Sequence, residues 1–252
     1  MFYSYIFKKF VKVFLPNIFH PKGNGLKEIN DIYYSLVGKL KFSKCIKYEK
    51  NAKYNHLSYI IKALSKFNFN TCKYLEIGVA EGNVFNIIPL PSMNKYGVDP
   101  NPNMAGNYLM TSDEFFQQNK TKFDVIFIDG LHSYEQCQRD CINSLKVINE
   151  NGIIIVHDFI PSGYIEEYVP RKTYNWSWTG DVWKVAVELS KSKNMKFCIS
   201  NCDRGTGIVK PMKNYEYIKI PDLKNLRFKD FYETFYKILP IVDSEKAMKF
   251  ID

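Results

Sequence analysis

The 252 residues contain no internal repeat, no low-complexity tract and no apolar run long enough to cross a bilayer, which removes solenoids and transmembrane bundles from consideration. Cysteine is sparse. Cys45, Cys72, Cys137, Cys141, Cys198 and Cys202 are spread along the chain with no secretory leader in front, so a disulfide framework is not expected and a reducing cytoplasm is the expected compartment. The pairs 137/141 and 198/202 lack the two-residue spacing near turns that structural zinc sites favour, and they are read as core residues. Arginine is absent from residues 1 to 72, which hold 13 lysines against 3 acids, whereas residues 73 to 252 carry 22 basic and 23 acidic side chains. The net charge of +9 therefore sits at one end. The body lacks the basic surface of an enzyme that grips a long nucleic acid, and no stable nucleic-acid partner is expected.

What is present is a core. With 46% apolar and 16% aromatic residues, the chain suits one large α/β domain with appendages. Residues 1–50 read as a basic amphipathic accessory segment, 51–215 as the main domain and 216–252 as a helical tail whose Phe228, Phe231 and Phe235 form a packing face. In the first segment, "MFYSYIFKKFVKVFLPNIFHPKG" is interrupted by Lys8, Lys9 and Lys12. Two readings stand: an amphipathic helix docked on the domain or on a second subunit of a homo-oligomer, or a helix lying on an anionic membrane face, such as the inner surface of the cell membrane.

From residue 55 the pattern becomes regular. Leu57, Ile60, Ile61 and Leu64 recur at helical spacing behind a candidate cap, Asn55. Strands are expected at 73–79, 94–99, 108–111, 123–129, 152–158, 195–200 and 206–210, with the last two forming an antiparallel hairpin at the sheet edge. Solid apolar strands separated by helices predict a Rossmann-like, seven-stranded, mostly parallel α/β sheet with helices on both faces, and ligands collect beyond the carboxyl ends of such strands.

The first strand runs into "LEIGVAEGN", and Asp99 follows Gly78 by 21 residues, near the usual offset for an acid that accepts from ribose hydroxyls. The dinucleotide fingerprint is incomplete, because Ala80 and Asn83 stand where it needs glycines. A pyrophosphate would lose its close backbone approach, so an adenosyl cofactor without phosphates fits better.

"YLEIGVAEGN", "YGVDPNP", "TSDEFF", "FDVIFIDGLHSYEQ", "GIIIVHDF", "GDVWK" and "GTGIVK", in this order, resemble a bacterial branch of the class I S-adenosylmethionine-dependent methyltransferases whose fourth strand ends IDG-x-H-x-Y; the match covers about residues 55 to 210. The resemblance implies that Glu76, Gly78 and Gly82, with Ala80 and Asn83 among them, surround the amino-acid part of the cofactor. It also implies that Asp99, beside Pro100, holds the ribose, and that Ser112 and Asp113 lie by the adenine. Methyl transfer to a hydroxyl is an in-line displacement that needs the acceptor aligned and deprotonated. His132 is the expected base. Asp129 and Asp158, at the ends of neighbouring strands, are candidates to share a divalent cation such as Mg2+ that acidifies the acceptor; Asp129 has the alternative duty of binding the cofactor's ammonium. His157 is read as structural. The stretch 161–184 is the expected acceptor-binding loop, with Trp176, Trp178 and Trp183 offering flat apolar faces and Arg171 and Lys172 available to a phosphate. The expected activity is O-methylation of a small polar acceptor, a sugar or nucleotide-activated sugar for a surface polysaccharide or secondary metabolite. An RNA-modifying methyltransferase and a non-catalytic adenosyl-binding module are the alternatives.

Overall fold

Alternation of side chains along the strands sets the architecture. Leu75 and Ile77 of β1 (Tyr74–Ile77), Ile126 and Ile128 of β3 (Phe123–Ile128), and Ile154 and Val156 of β4 (Ile148–Val156) enter one core. Tyr74, Val125, Phe127, Ile153 and Ile155 enter a second core on the opposite face. Strands that are apolar on both faces must be covered on both faces. α2 (His56–Leu64) covers the second core, capped by Asn55, whose side chain accepts from the Ser58 amide. The first core lies under α4 (Tyr134–Val147) and α6 (Trp183–Lys191). These features come from a computed structural model that describes residues 25–174 and 177–252, with only the backbone of residues 25 and 26; the N-terminal arm and Trp176 lie outside the described residues.

The sheet has seven strands in the order β2-β1-β3-β4-β6-β5-β7, where β2 is Lys95–Val98, β5 Lys193–Ser200, β6 Thr206–Glu216 and β7 Ile241–Val242. It is Rossmann-like. β2, β1, β3 and β4 run parallel, and β6 is antiparallel to both β4 and β5. The expected hairpin is thus present, but it is not the edge, because β7 pairs in parallel with β5 outside it. Residues 108–111 are not a sheet strand: Tyr108 makes a single bridge to Val98, after which the chain turns into α3 (Ser112–Gln118), capped by Thr111. The count of seven is completed instead by β7, from the segment read as a helical tail.

That tail is short helical turns at 228–235 that bury Phe228 and Phe231 in the first core, then β7, then α7 (Ser244–Phe250) over the second core. At the other end of the described chain, α1 (Gly25–Lys41) packs on α5 (Tyr164–Glu167), a single turn within the 161–184 stretch. Cys72, Cys137, Cys141, Cys198 and Cys202 are buried, and among the described residues every cysteine is free. No helix among these residues is long and apolar enough to cross a membrane.

Candidate active site

The chain leaves β1 toward β2 on one side and returns to β3 on the other, so the ends of β1 and β3 form a switch point where a crevice must open. Backbone bonds pull these ends together: the Gly78 amide donates to the Val98 carbonyl and the Asp129 amide to the Ile77 carbonyl, both at 2.9 Å. Gly78 has φ +85°, and a Cβ there would lie 2.2 Å from the Asp129 carbonyl oxygen. Only glycine permits that approach. Beyond these ends lies a cavity of about 750 Å3.

One end of the cavity is built by β1 and β2. Glu76 is buried, its Oε2 accepting from the Tyr74 hydroxyl at 2.6 Å, and burial pushes its carboxyl up to about 8. The Asp99 carboxylate accepts from the amides of Ala80 (3.0 Å) and Asn101 (2.9 Å), which fixes it across the mouth of the first turn. Ser112, at the start of α3, accepts from Gln136 Nε2 at 3.0 Å.

The other end concentrates charge. His132, two residues before α4, is held on three sides. Its Nδ1 lies 2.6 Å from the Trp178 carbonyl and 3.1 Å from Asp158 Oδ2, and its Nε2 lies 3.3 Å from Asp129 Oδ1. A carbonyl only accepts, so Nδ1 carries a hydrogen and the neutral ring presents its lone pair at Nε2. Burial alone would lower the His132 pKa, but Asp129 and Asp158 outweigh it and raise the pKa above its ordinary value. For Asp129 burial works upward, yet His157 and His132 hold its carboxyl well below the usual range. Asp158, with φ +65° and 2% exposed, is pushed up by burial and by neighbouring Asp129, although Arg204 Nε donates to its Oδ1 at 2.9 Å. Trp178 stacks on His132 with centroids 5.2 Å apart, and its indole donates to the Tyr168 carbonyl at 2.8 Å. The loop is latched to this histidine: Gly180, at φ +62°, packs so tightly that a Cβ would fall 1.7 Å from the His132 carbonyl oxygen.

Residues 75–159, which carry both ends of this cavity, match a family model described as a methyltransferase domain. This segment is a methyltransferase domain. No curated protein matches the chain. Solved structures overlap it more broadly and more loosely. An O-methyltransferase from Bacillus cereus in complex with SAH is 12% identical, covering 85% of this chain and 97% of its own, with a TM-score of 0.43. An O-methyltransferase from Streptomyces achromogenes involved in tomaymycin synthesis, with SAM bound, is 12% identical, covering 72% and 95%, with a TM-score of 0.44. An rRNA methylase from Streptococcus thermophilus is 8% identical, covering 66% and 100%, also at 0.44. Overlaps this loose carry no conclusion about the acceptor.

Within the methyltransferase domain the cavity brings together Glu76, Gly78, Ala80, Asn83, Asp99 and Pro100, and beyond them Ser112. Their fit to the cofactor rests on the open backbone at Gly78, the buried carboxylate of Glu76 and the fixed carboxylate of Asp99, which suit an ammonium and a ribose diol respectively. Gly82 does not line the cavity; it sits behind the turn, against Asn86 and Ala105. Asp113 also turns away, paired with Arg139 at 3.2 Å.

Asp129, His132 and Asp158 meet in the cavity, as do Arg171 and Trp178 from the loop. Arg171 spends its guanidinium on the carbonyls of Thr173 (2.7 Å) and Tyr174 (3.0 Å). Lys172 lies outside the cavity, with its carbonyl bonded by Asn30 Nδ2 at 2.6 Å. Trp183 is a correction: it is 0% exposed, packed against Phe231 and Phe235, because it opens α6 on the face that covers the sheet, so no ring face remains for an acceptor.

Sequence reasoning missed Arg204, Asp140, Gln136, His56 and Asp203, and it gave His157 a purely structural part. Gln136 and Asp140 are an i,i+4 pair on α4, bonded at 3.1 Å, and burial pushes Asp140 up to about 6. The helical spacing was a usable signal for them. For the others the signal was weaker: "HD" at a strand end and "DRG" in a hairpin turn mark positions at the mouth of the sheet only once the strand order is known.

Proposed function

We propose that the chain transfers the S-adenosylmethionine methyl group to a hydroxyl of a small polar acceptor, with His132 as general base. The observation that carries this reading is the position of the imidazole. It shares one cavity with Glu76, Gly78 and Asp99, and its Nδ1–H is committed to the Trp178 carbonyl, leaving Nε2 to take a proton beside Asp129.

S-adenosylmethionine supplies an already activated methyl group. The chain's own residues do the rest. Glu76 and the Gly78 turn bind the amino-acid end, with Ala80 and Asn83 beside them, while Asp99 and Pro100 take the ribose and Ser112 borders the adenine. Asp129, whose Oδ1 lies 3.3 Å from Nε2, stabilises by its charge the imidazolium that forms as His132 accepts the acceptor's proton there. Trp178 lines the cavity beside the base, stacked on His132 and with the Arg171 guanidinium 5.9 Å from its centroid, a mixed apolar and cationic wall that supports a polar acceptor such as a sugar or nucleotide-activated sugar.

A divalent cation at Asp129 and Asp158 is the other way to acidify a hydroxyl. One oxygen from each and a nitrogen of His132 lie within 4.8 Å of one another, so the spacing fits, and such an ion would supply Lewis acidity there. However, both Asp158 oxygens already face nitrogen donors, Arg204 Nε at 2.9 Å and His132 Nδ1 at 3.1 Å. That engagement supports proton transfer to His132 without a metal.

The test is incubation of the full chain with methyl-labelled cofactor and a panel of nucleotide sugars, with and without chelator. Label should enter a sugar hydroxyl and resist chelation. Label appearing in RNA and in no small acceptor would overturn the acceptor class.

A further inference from the structure

We propose that His56, His157 and Asp203 bind a divalent transition metal of the zinc class, at the wall of the cavity next to, and separate from, the His132 centre. The proposal goes beyond the methyl-transfer reading and does not depend on it.

The three residues come from three distant segments: the first residue of α2, the residue just past the end of β4, and the turn between β5 and β6. Each offers one ligand atom, and these atoms all lie within 4.8 Å of one another. His56 Nδ1 contacts Asp203 Oδ2, and the His56 ring is fixed by stacking flat on Phe127, 5.7 Å between centroids at 3°. The His157 ring lies beside it, with centroids 4.7 Å apart.

His157 is the decisive residue. It is 3% exposed, yet neither ring nitrogen has a hydrogen-bond partner. Its Nε2 is aimed at Asp203, 3.6 Å from Oδ2, and its Nδ1 at Asp129, 3.4 Å from Oδ2. A buried imidazole that faces carboxylates on both sides without closing a hydrogen bond to any of them leaves its polar capacity unused. A metal on Nε2 removes that cost on one side, and the carboxylate of Asp129 accepts from Nδ1–H on the other, the usual outer-shell arrangement of a metal-bound histidine.

Charge points the same way. Asp129, Asp158 and Asp203 converge on this spot, and the guanidinium that answers them is Arg204, bonded to Asp158. A dication balances what Arg204 leaves. Two imidazoles and one carboxylate select zinc, cobalt(II) or iron(II) over Mg2+, which prefers oxygen ligands. The site would also fix the His157 tautomer and, through it, the carboxylate that faces His132.

The rival arrangement has His157 as an imidazolium among the three carboxylates and no metal bound. To separate the two, Co2+ is titrated into the metal-stripped full chain and followed by visible ligand-field absorption, with bound metal counted by mass spectrometry. One equivalent should bind with absorption bands of low-coordinate Co2+. His56→Gln and Asp203→Asn should weaken binding by about 10-fold or more, at least the loss that removing a mere outer-shell partner causes. His132→Ala should leave it in place. Circular dichroism and thermal unfolding show whether each variant is folded. Should a variant fail that check, the histidine ring NMR shifts of the unmutated protein on adding Zn2+ decide, with His56 and His157 expected to move. No bound metal in the unmutated protein, unchanged binding in His56→Gln, or movement of His132 in place of His56 and His157 would each overturn the proposal.

Discussion

On the side of the cavity built by β1 and β2, Glu76, Gly78 and Asp99 lie on or just past two neighbouring strands, where a backbone bond of 2.9 Å at Gly78 joins the strand ends and the Ala80 amide fixes the Asp99 carboxylate at 3.0 Å. On the acceptor side, His132, Trp178 and Arg204 come from three stretches that share no element, and side-chain contacts hold them. The first wall is a consequence of the sheet; the second is assembled on it. Substitutions on the two sides should therefore fail in different ways: loss of cofactor binding on one, and loss of turnover with the cofactor still bound on the other.

The sharpest contrast is expected at His132. His132→Ala should lower kcat by about 100- to 10,000-fold, the range for losing a general base, while S-adenosylhomocysteine affinity measured by calorimetry stays near that of the unmutated chain. Cofactor affinity falling in parallel would erase the distinction between the walls. The two tryptophans of the loop test the acceptor side from within. Trp183→Ala should destabilise the fold by about 3–5 kcal/mol in urea unfolding, because it empties a fully buried site. Trp178→Ala should leave unfolding nearly unchanged and raise the acceptor KM.

A smaller effect is expected at Asp99. Asp99→Asn weakens an acceptor of ribose hydrogen bonds without removing it, so the cofactor Kd should rise by about 10-fold with kcat maintained at saturation. The smallest effect is a displacement of the pH profile. His132 must be neutral to take a proton, and its carboxylate neighbours raise its pKa, so kcat/KM should climb with pH through a limb on the alkaline side of an ordinary histidine. Removing the charge in Asp129→Asn should shift that limb to lower pH. A shift to higher pH, or none, would show that another group takes the proton.

The same division explains what the sequence made legible. The β1 turn, Asp99, Asp129 and His132 were readable because each sits within a few residues of a strand end, where local pattern and position in the fold coincide. The β7 pair Ile241–Val242 was not, since two residues show no periodicity. Residues 108–111 carry a strand-like pattern but hold only one bridge, because the Thr111 cap starts α3 at once. Trp183 and Trp178 are the same residue type five positions apart, but Trp183 opens α6 on its core-facing side whereas Trp178 stays in the loop against His132, a difference fixed by tertiary packing. His157, His56 and Asp203 are separated by tens of residues and become neighbours only through the strand order, which no single segment encodes.

Gly180 has a consequence for any attempt to vary the loop. With its α-carbon seated against the backbone of His132, and with the carbonyl two residues earlier fixing the imidazole tautomer, residues 178–180 and His132 are packed as one piece. A side chain added at 180 would have to push the His132 carbonyl aside, so a change there is felt at an imidazole that residue 180 itself never touches with a side chain.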